Sequence, residues 1–167
     1  MTLSASKWDF DMSKLIMLVG IPGSGKSTWI QNNYSFFPHA AVLNTDRHIE
    51  AIATTKGKTY NEVFQDAIED ATRLFNENLQ WYRSCGDNVI LDQTNVTRKS
   101  RARKLRPFLD AGYNCDCYYF ESKFSLDQIN ELRPGKVIPS HVYYKMLHDL
   151  EVPSVDEGFD YVYHVRY

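Results

Sequence analysis

An α/β fold, a parallel sheet covered by helices on both faces, is predicted by three features of the sequence. Strand-like and helix-like segments alternate from residue 14 to residue 165, with no repeat and no low-complexity stretch. Several strand-like segments are continuous apolar runs rather than alternating ones, as befits strands buried on both faces. The first of these runs ends in a glycine-rich stretch that opens directly into a helix, and strands separated by helices imply right-handed parallel crossovers. A length of 167 residues suits one domain with a core of its own.

The elements follow in chain order. Residues 14–20 (KLIMLVG) form a buried strand, and a helix starts near Gly25. Residues 40–44 (AAVLN) form a second, short strand. Tyr60, Val63, Phe64, Ala67, Ile68, Ala71, Leu74 and Phe75 then recur at helical spacing, with Thr59 as N-cap and Gly86 as the stop. Residues 88–92 (NVILD) give a third strand, and Thr97 caps a basic helix that ends at Gly112 and contains Pro107. Residues 113–121 are rich in β-formers, and residues 125–132 suit a short helix. Residues 133–139 (RPGKVIP) must be a loop, because Pro134 and Gly135 break any helix there. Pro139 fits the start of a helix reaching about Leu150, and a fifth strand lies near residues 159–165. Residues 1–13 read as a tail ahead of a domain spanning 14–167.

Composition narrows the class. The apolar share is 43% and no apolar run approaches the roughly 20 residues of a membrane span, so a membrane role is not expected. The N-terminus has neither a basic start nor an apolar middle, unlike a secretory signal. Three cysteines (Cys85, Cys115 and Cys117) without a metal-like partner pair point to reduced thiols and a cytoplasmic setting. Cys115 and Cys117 read as two thiols on one face of a strand. A net charge of −2 argues against charge-dominated coating of nucleic acid, although Arg98, Lys99, Arg101, Arg103, Lys104 and Arg106 crowd one helix. That cluster is either a solvated helix face or a surface that meets phosphates. None of the five histidines forms a metal-like pair.

The chemistry sits at the end of the first strand. Gly20-Ile21-Pro22-Gly23-Ser24-Gly25-Lys26-Ser27 matches G-x-x-x-x-G-K-[ST], and Thr28 follows. In such a loop backbone N–H groups converge on phosphate oxygens, and the helix dipole adds positive potential. Lys26 is expected at the β- and γ-phosphates of ATP, the Ser27 hydroxyl at Mg²⁺, and Thr28 near the α-phosphate. No N-K-x-D base-reading motif occurs, which leaves small phosphoryl-transfer kinases as the natural class. A kinase also needs a base for the acceptor hydroxyl, placed at the carboxyl ends of the strands. Asp46 follows the second strand and is the candidate base. Asp92 ends the third strand, beside Thr94 and Asn95, and is the candidate for magnesium or for a supporting hydrogen bond. The loop 133–139 is the candidate lid, with Arg133 placed to stabilise charge on the transferred phosphoryl group.

Residues 20–29, 44–46, 91–95 and 133–139 together resemble the polynucleotide kinase family, and the resemblance covers about residues 14–166. It implies an adenylate-kinase-like fold with a five-stranded parallel sheet and a mobile lid. It further implies ATP as donor, Mg²⁺, and a nucleic-acid hydroxyl as acceptor, above all a 5′-OH end. Lys26 and Ser27 would hold phosphates and magnesium, Asp46 would activate the acceptor, Arg133 would clamp the donor from the lid, and Asp92 would support the nucleotide site. Thr45 and Ile49 stand where phage members carry arginines that grip the acceptor strand, and a second lid arginine before Arg133 is missing. Arg47 and the basic helix 98–106 are the candidate substitutes, with Asp46, Asp92, Thr94 and Asn95 completing the acceptor side. Three other readings stay open: a phage-type kinase of 5-hydroxymethyluracil within DNA, working in the host cytoplasm; a nucleoside or small-metabolite kinase; and an ATP-dependent nucleic-acid-binding module without transfer. The last is suggested by residues 90–96, which resemble the nucleotide-binding domain of heterogeneous nuclear ribonucleoprotein U. Nothing in the sequence indicates the oligomeric state.

Overall fold

The computed structural model describes residues 12–37 and 39–166, so nearly all of the expected tail lies outside the described residues. Five strands, β1 (Lys14–Val19), β2 (Ala41–Leu43), β3 (Val89–Asp92), β4 (Asn114–Phe120) and β5 (Tyr161–Val165), form one sheet in the order β2-β3-β1-β4-β5. Every pairing is parallel, with Leu15 opposite Val89 and Cys115, and Leu18 opposite Asp92 and Tyr118. The chain therefore moves outward in both directions from β1, and the carboxyl end of β1 is the point at which the strand order switches.

The helices are α1 (Lys26–Asn33), α2 (Thr45–Lys56), α3 (Tyr60–Cys85), α4 (Arg98–Asp110), α5 (Leu126–Glu131) and α6 (Ser140–His148). Alternation along β1 divides the core into two layers. Leu15, Met17 and Val19 pack with Phe75 of α3 and with Leu105 and Phe108 of α4 on one face. Ile16 and Leu18 pack with Trp29 and Ile30 of α1 on the other. Cys115 and Cys117 sit fully buried in the first layer, and burial pushes both thiols up to about 12. The pair is therefore apolar filling, as its spacing suggests.

Two smaller clusters position the edges of the site. Ile49 and Ala53 of α2 meet Val63, Ala67 and Ala71 of α3, which hold these helices as a hairpin beyond the edge strand β2. Ile21 of the glycine-rich loop packs on Ile129 of α5 and Tyr143 of α6, so the elements flanking residues 133–139 rest on the loop itself. Thr59 and Glu62 form a reciprocal cap at the start of α3, and Gly86 ends that helix in the left-handed region with φ 75°.

The basic helix is the main departure from expectation. Arg101 is 0% exposed; its Nε and Nη2 donate to the two carboxylate oxygens of Glu157 at 2.7 Å. Its Nη1 donates to the carbonyls of Asn95, Val96 and Glu151 at 3.1, 3.0 and 2.9 Å. Arg98 pairs with Asp156 at 2.6 Å, Arg106 with Asp110 at 2.9 Å, and Lys104 donates to Asn95 at 2.6 Å. Lys99 and Arg103 alone of the six cations are exposed without such a pair among the described residues. Arg101 and Lys104 thus anchor the loop after β3 from within, while Arg98, Lys99, Arg103 and Arg106 lie on the exposed face of the helix.

Removing one member of a buried, hydrogen-bonded ion pair leaves the other charge uncompensated, which costs about 3–5 kcal/mol. Arg101→Met is expected to lower the urea unfolding free energy by that amount, whereas Lys99→Met should change it by less than about 0.5 kcal/mol. Equal stability of the two variants would show that the Arg101–Glu157 pair does not anchor α4.

Candidate active site

The phosphate loop forms where β1 ends. Gly23 and Gly25 adopt φ 79° and 94°, in the left-handed region, so that the chain can curl and enter α1. A Cβ on Gly23 would lie 2.6 Å from the Ile129 side chain, so glycine is also required for the approach of α5. Gly20 N–H donates to the Thr94 carbonyl at 3.0 Å, tying the loop to the end of β3. Lys26 is 8% exposed, and its ammonium donates to the carbonyls of Gly20 and Ile21 at 2.7 and 2.9 Å. Burial lowers this ammonium to about 8, partly offset by the nearby Asp92 carboxylate and reinforced by Arg133. Ser27 and Thr28 are exposed on the first turn of α1.

The two candidate aspartates are linked through a third residue. Asn44 caps α2 with its carbonyl oxygen, accepting from the Asp46 N–H at 2.6 Å. Its amide nitrogen donates to Asp92 at 2.8 Å. Asp92 is 6% exposed, at the end of β3 beside Lys26. A hydroxyl at Ser27 and a carboxylate at Asp92 are hard oxygen donors beside a phosphate loop, a donor set that fits Mg²⁺ with the remaining positions left to water and phosphate.

Asp46 is more open, with its side chain 42% exposed. Tyr60 O–H donates to Oδ1 at 2.9 Å, and the Lys136 ammonium lies 2.7 Å from Oδ2. Burial, then the Asp46 charge and this hydrogen bond, raise the Tyr60 hydroxyl well above its ordinary range, so it acts as a donor. Arg133 is half-buried on the lid and close enough to Lys26 and Tyr60 to influence both. Arg47, next to Asp46, is exposed.

Asn95 occupies a different role from the acceptor contact expected of it. Asn95 is 2% exposed, with φ 48°, and its amide donates to the Leu18 carbonyl at 2.8 Å while its oxygen accepts from Lys104. Its side chain is fully engaged inside the protein and holds the loop after β3. Thr94 contributes its backbone carbonyl to Gly20. Tyr60 was legible only as an apolar position on the α3 stripe; its hydroxyl was the overlooked signal. Asn44 was visible as the residue after β2 but not as the bridge between the aspartates.

The chain resembles several solved structures in fold. A putative kinase from Chloroflexus aurantiacus J-10-fl matches with TM-score 0.64 and 14% identity, over 93% of this chain and 86% of that one. A fungal RNA kinase matches with TM-score 0.51 and 14% identity, over 93% and 75%. The APS kinase CysC of Mycobacterium tuberculosis, solved with AMPPNP and APS, matches with TM-score 0.52 and 16% identity, over 93% and 90%. The chain spans about half (49%) of the Streptococcus pneumoniae PezAT chain that it also matches. At these identities the likeness establishes a P-loop kinase-like fold, and the named acceptors belong to those proteins. The family model described as an AAA domain matches residues 15–129, well over half of the sequence, and the chain therefore belongs to that family.

Proposed function

We propose that this protein is a magnesium-dependent kinase that moves the γ-phosphate of ATP onto a hydroxyl of a nucleic acid, with the 5′-OH end as the leading acceptor. The observation that carries the reading is Asp46, an exposed carboxylate held by Tyr60 and Lys136 on the rim of a complete phosphate loop. Lys26 and the N–H groups of residues 23–28 bind the triphosphate, and Arg133 reaches it from the lid. Ser27 and Asp92 would hold Mg²⁺, which when bound would supply neutralisation of phosphate charge. The acceptor hydroxyl approaches Asp46, which takes its proton as the oxygen attacks the γ-phosphorus and the bond to the β–γ bridging oxygen breaks, releasing ADP. Asn44 keeps Asp46 and Asp92 in a fixed relation throughout. Arg47, Lys99 and Arg103 are the exposed cations left for an acceptor strand.

A second reading, transfer to a nucleoside or small metabolite, draws support from the internal pairing of the basic helix. Four of its cations are already engaged within the chain. The discriminating experiment follows labelled γ-phosphate into 5′-OH DNA, 5′-OH RNA, 5′-blocked DNA with hydroxymethylated pyrimidines, and free nucleosides. Label on the 5′-OH strands is expected. Label on the blocked, modified DNA alone would move the acceptor from the strand end to a base, and label on nucleosides alone would establish the second reading.

Asp46→Asn should leave ATP affinity within about twofold while lowering turnover at least about 100-fold; undiminished turnover would remove Asp46 from the base role. Lys26→Ala should abolish both nucleotide binding and transfer.

Nucleotide binding should also take up a proton. Lys26, lowered to about 8 by burial, is partly neutral at pH 8.5, and the arriving phosphates favour its charged form. The sign follows: uptake is small at pH 7, grows as the pH rises past about 8, and is accompanied by weakening affinity. Calorimetry in buffers of different ionisation enthalpy should show this for the wild type; the same heats at pH 8.5 in every buffer would contradict it.

A further inference from the structure

The lid carries a cation that the phosphate chemistry does not use. Lys136 is only 16% exposed, and its ammonium reaches Asp46 at 2.7 Å and Glu50 at 2.5 Å while lying 4.5 Å above the Tyr60 ring. Its contacts lie on α2 and α3 rather than on its own loop. The loop is seated there by a second set of bonds. Asn61 N–H donates to the Gly135 carbonyl at 3.2 Å, its amide donates to the Val137 carbonyl at 2.9 Å, and Val137 N–H donates to its oxygen at 2.7 Å. On the other side Asn130 holds Ile138 through two bonds, at 2.8 and 3.2 Å. Gly135, with φ 78°, lies against Thr59, where a Cβ would come 3.1 Å from the threonine methyl.

We infer that Lys136 is a positioning residue for the base: it ties the seated lid to Asp46, so that one equilibrium governs both the docking of residues 133–139 and the orientation of the Asp46 carboxylate. The proposal rests on Asp46 being the base. Tyr60 fixes Oδ1 from the helix, and Lys136 fixes Oδ2 from the lid. With both in place, each carboxylate oxygen has a partner that fixes its position. When the lid lifts, Oδ2 loses its partner and Arg133 moves away with it. The base and the lid arginine are thereby presented together or not at all. Glu50, also on α2, accepts from the same ammonium and adds to the seating of the loop.

The tie is read without any substrate by hydrogen–deuterium exchange at the amides of Lys136, Val137 and Ile138. A partly exposed ion pair holds a segment by no more than about a fivefold shift in its opening equilibrium. Lys136→Met, which removes the bonds to both acids, should speed exchange there about three- to fivefold and Asp46→Asn by less, and the double variant should show no gain over Lys136→Met, because the Asp46 contact is already lost with the lysine. Glu50→Gln should speed exchange by no more than Asp46→Asn does. The kinetic arm uses a 5′-OH DNA oligonucleotide and labelled ATP. Lys136→Met should lower kcat about tenfold with the KM for ATP unchanged, and Lys136→Arg should restore most of it. Wild-type exchange in Lys136→Met, or additive effects in the double variant, would overturn the tie. Full turnover in Asp46→Asn would instead remove the base and leave the exchange result to decide the contact alone.

Discussion

The amide of Asn95 joins the carboxyl ends of the two central strands, and the geometry of the site depends on that junction. Held at φ 48°, Asn95 donates to Leu18 of β1 and to Gln93 just past β3. Its own oxygen accepts from Lys104, whose ammonium burial and the neighbouring Arg103 lower to about 8. Arg101 then takes the Asn95 and Val96 carbonyls together with Glu157. A left-handed, non-glycine residue is strained, and it persists because its amide, its side-chain oxygen and its backbone carbonyl are all hydrogen-bonded. The bond from Gly20 to Thr94 draws the phosphate loop onto this knot. A buried network of amide and guanidinium groups thus lies beneath the site and sets the separation between Lys26 and Asp92.

The same network explains how much of the fold was legible in the sequence. The five strands, the caps at Thr59 and Thr97 and the stop at Gly86 all rest on local chemistry, which a single sequence displays openly. Pro107 falls inside α4, as read. The phosphate loop was legible because its residue types are demanded at fixed spacing. Charge was harder to place. Six cations in one helix give the same sequence signal whether they face water, phosphate or buried carboxylates, and Glu151, Asp156 and Glu157 lie some 50 residues away. The segment between α6 and β5 brings those acids to α4. Asn95 was misplaced for a related reason: a polar residue beside a catalytic strand end looks the same whether its amide points inward or outward.

The electrostatics of the site alternate in sign over a short distance. Lys26 lies between Asp92 and Asp46 on one side and Arg133 on another. Asp46 has Lys136 on one oxygen and the Tyr60 hydroxyl on the other. An aspartate left alone beside a triphosphate would be repelled, and a neighbouring cation offsets that repulsion. That cation comes from the loop 133–139, so the charge balance at Asp46 depends on how this loop is seated.

This coupling also bears on which acceptors the site tolerates. The acceptor side is lined by Asp46, Glu50 and the ring of Tyr60, with Lys136 already shared between the two acids. An acceptor that carries its own anion near the hydroxyl meets two carboxylates and a single cation, so it gains little unless Arg47 or Arg133 turns toward it. A neutral hydroxyl group entering edge-on to Tyr60 faces no such cost. In the proposed reading, the acids of α2 therefore disfavour an acceptor that carries an anion beside the reacting oxygen.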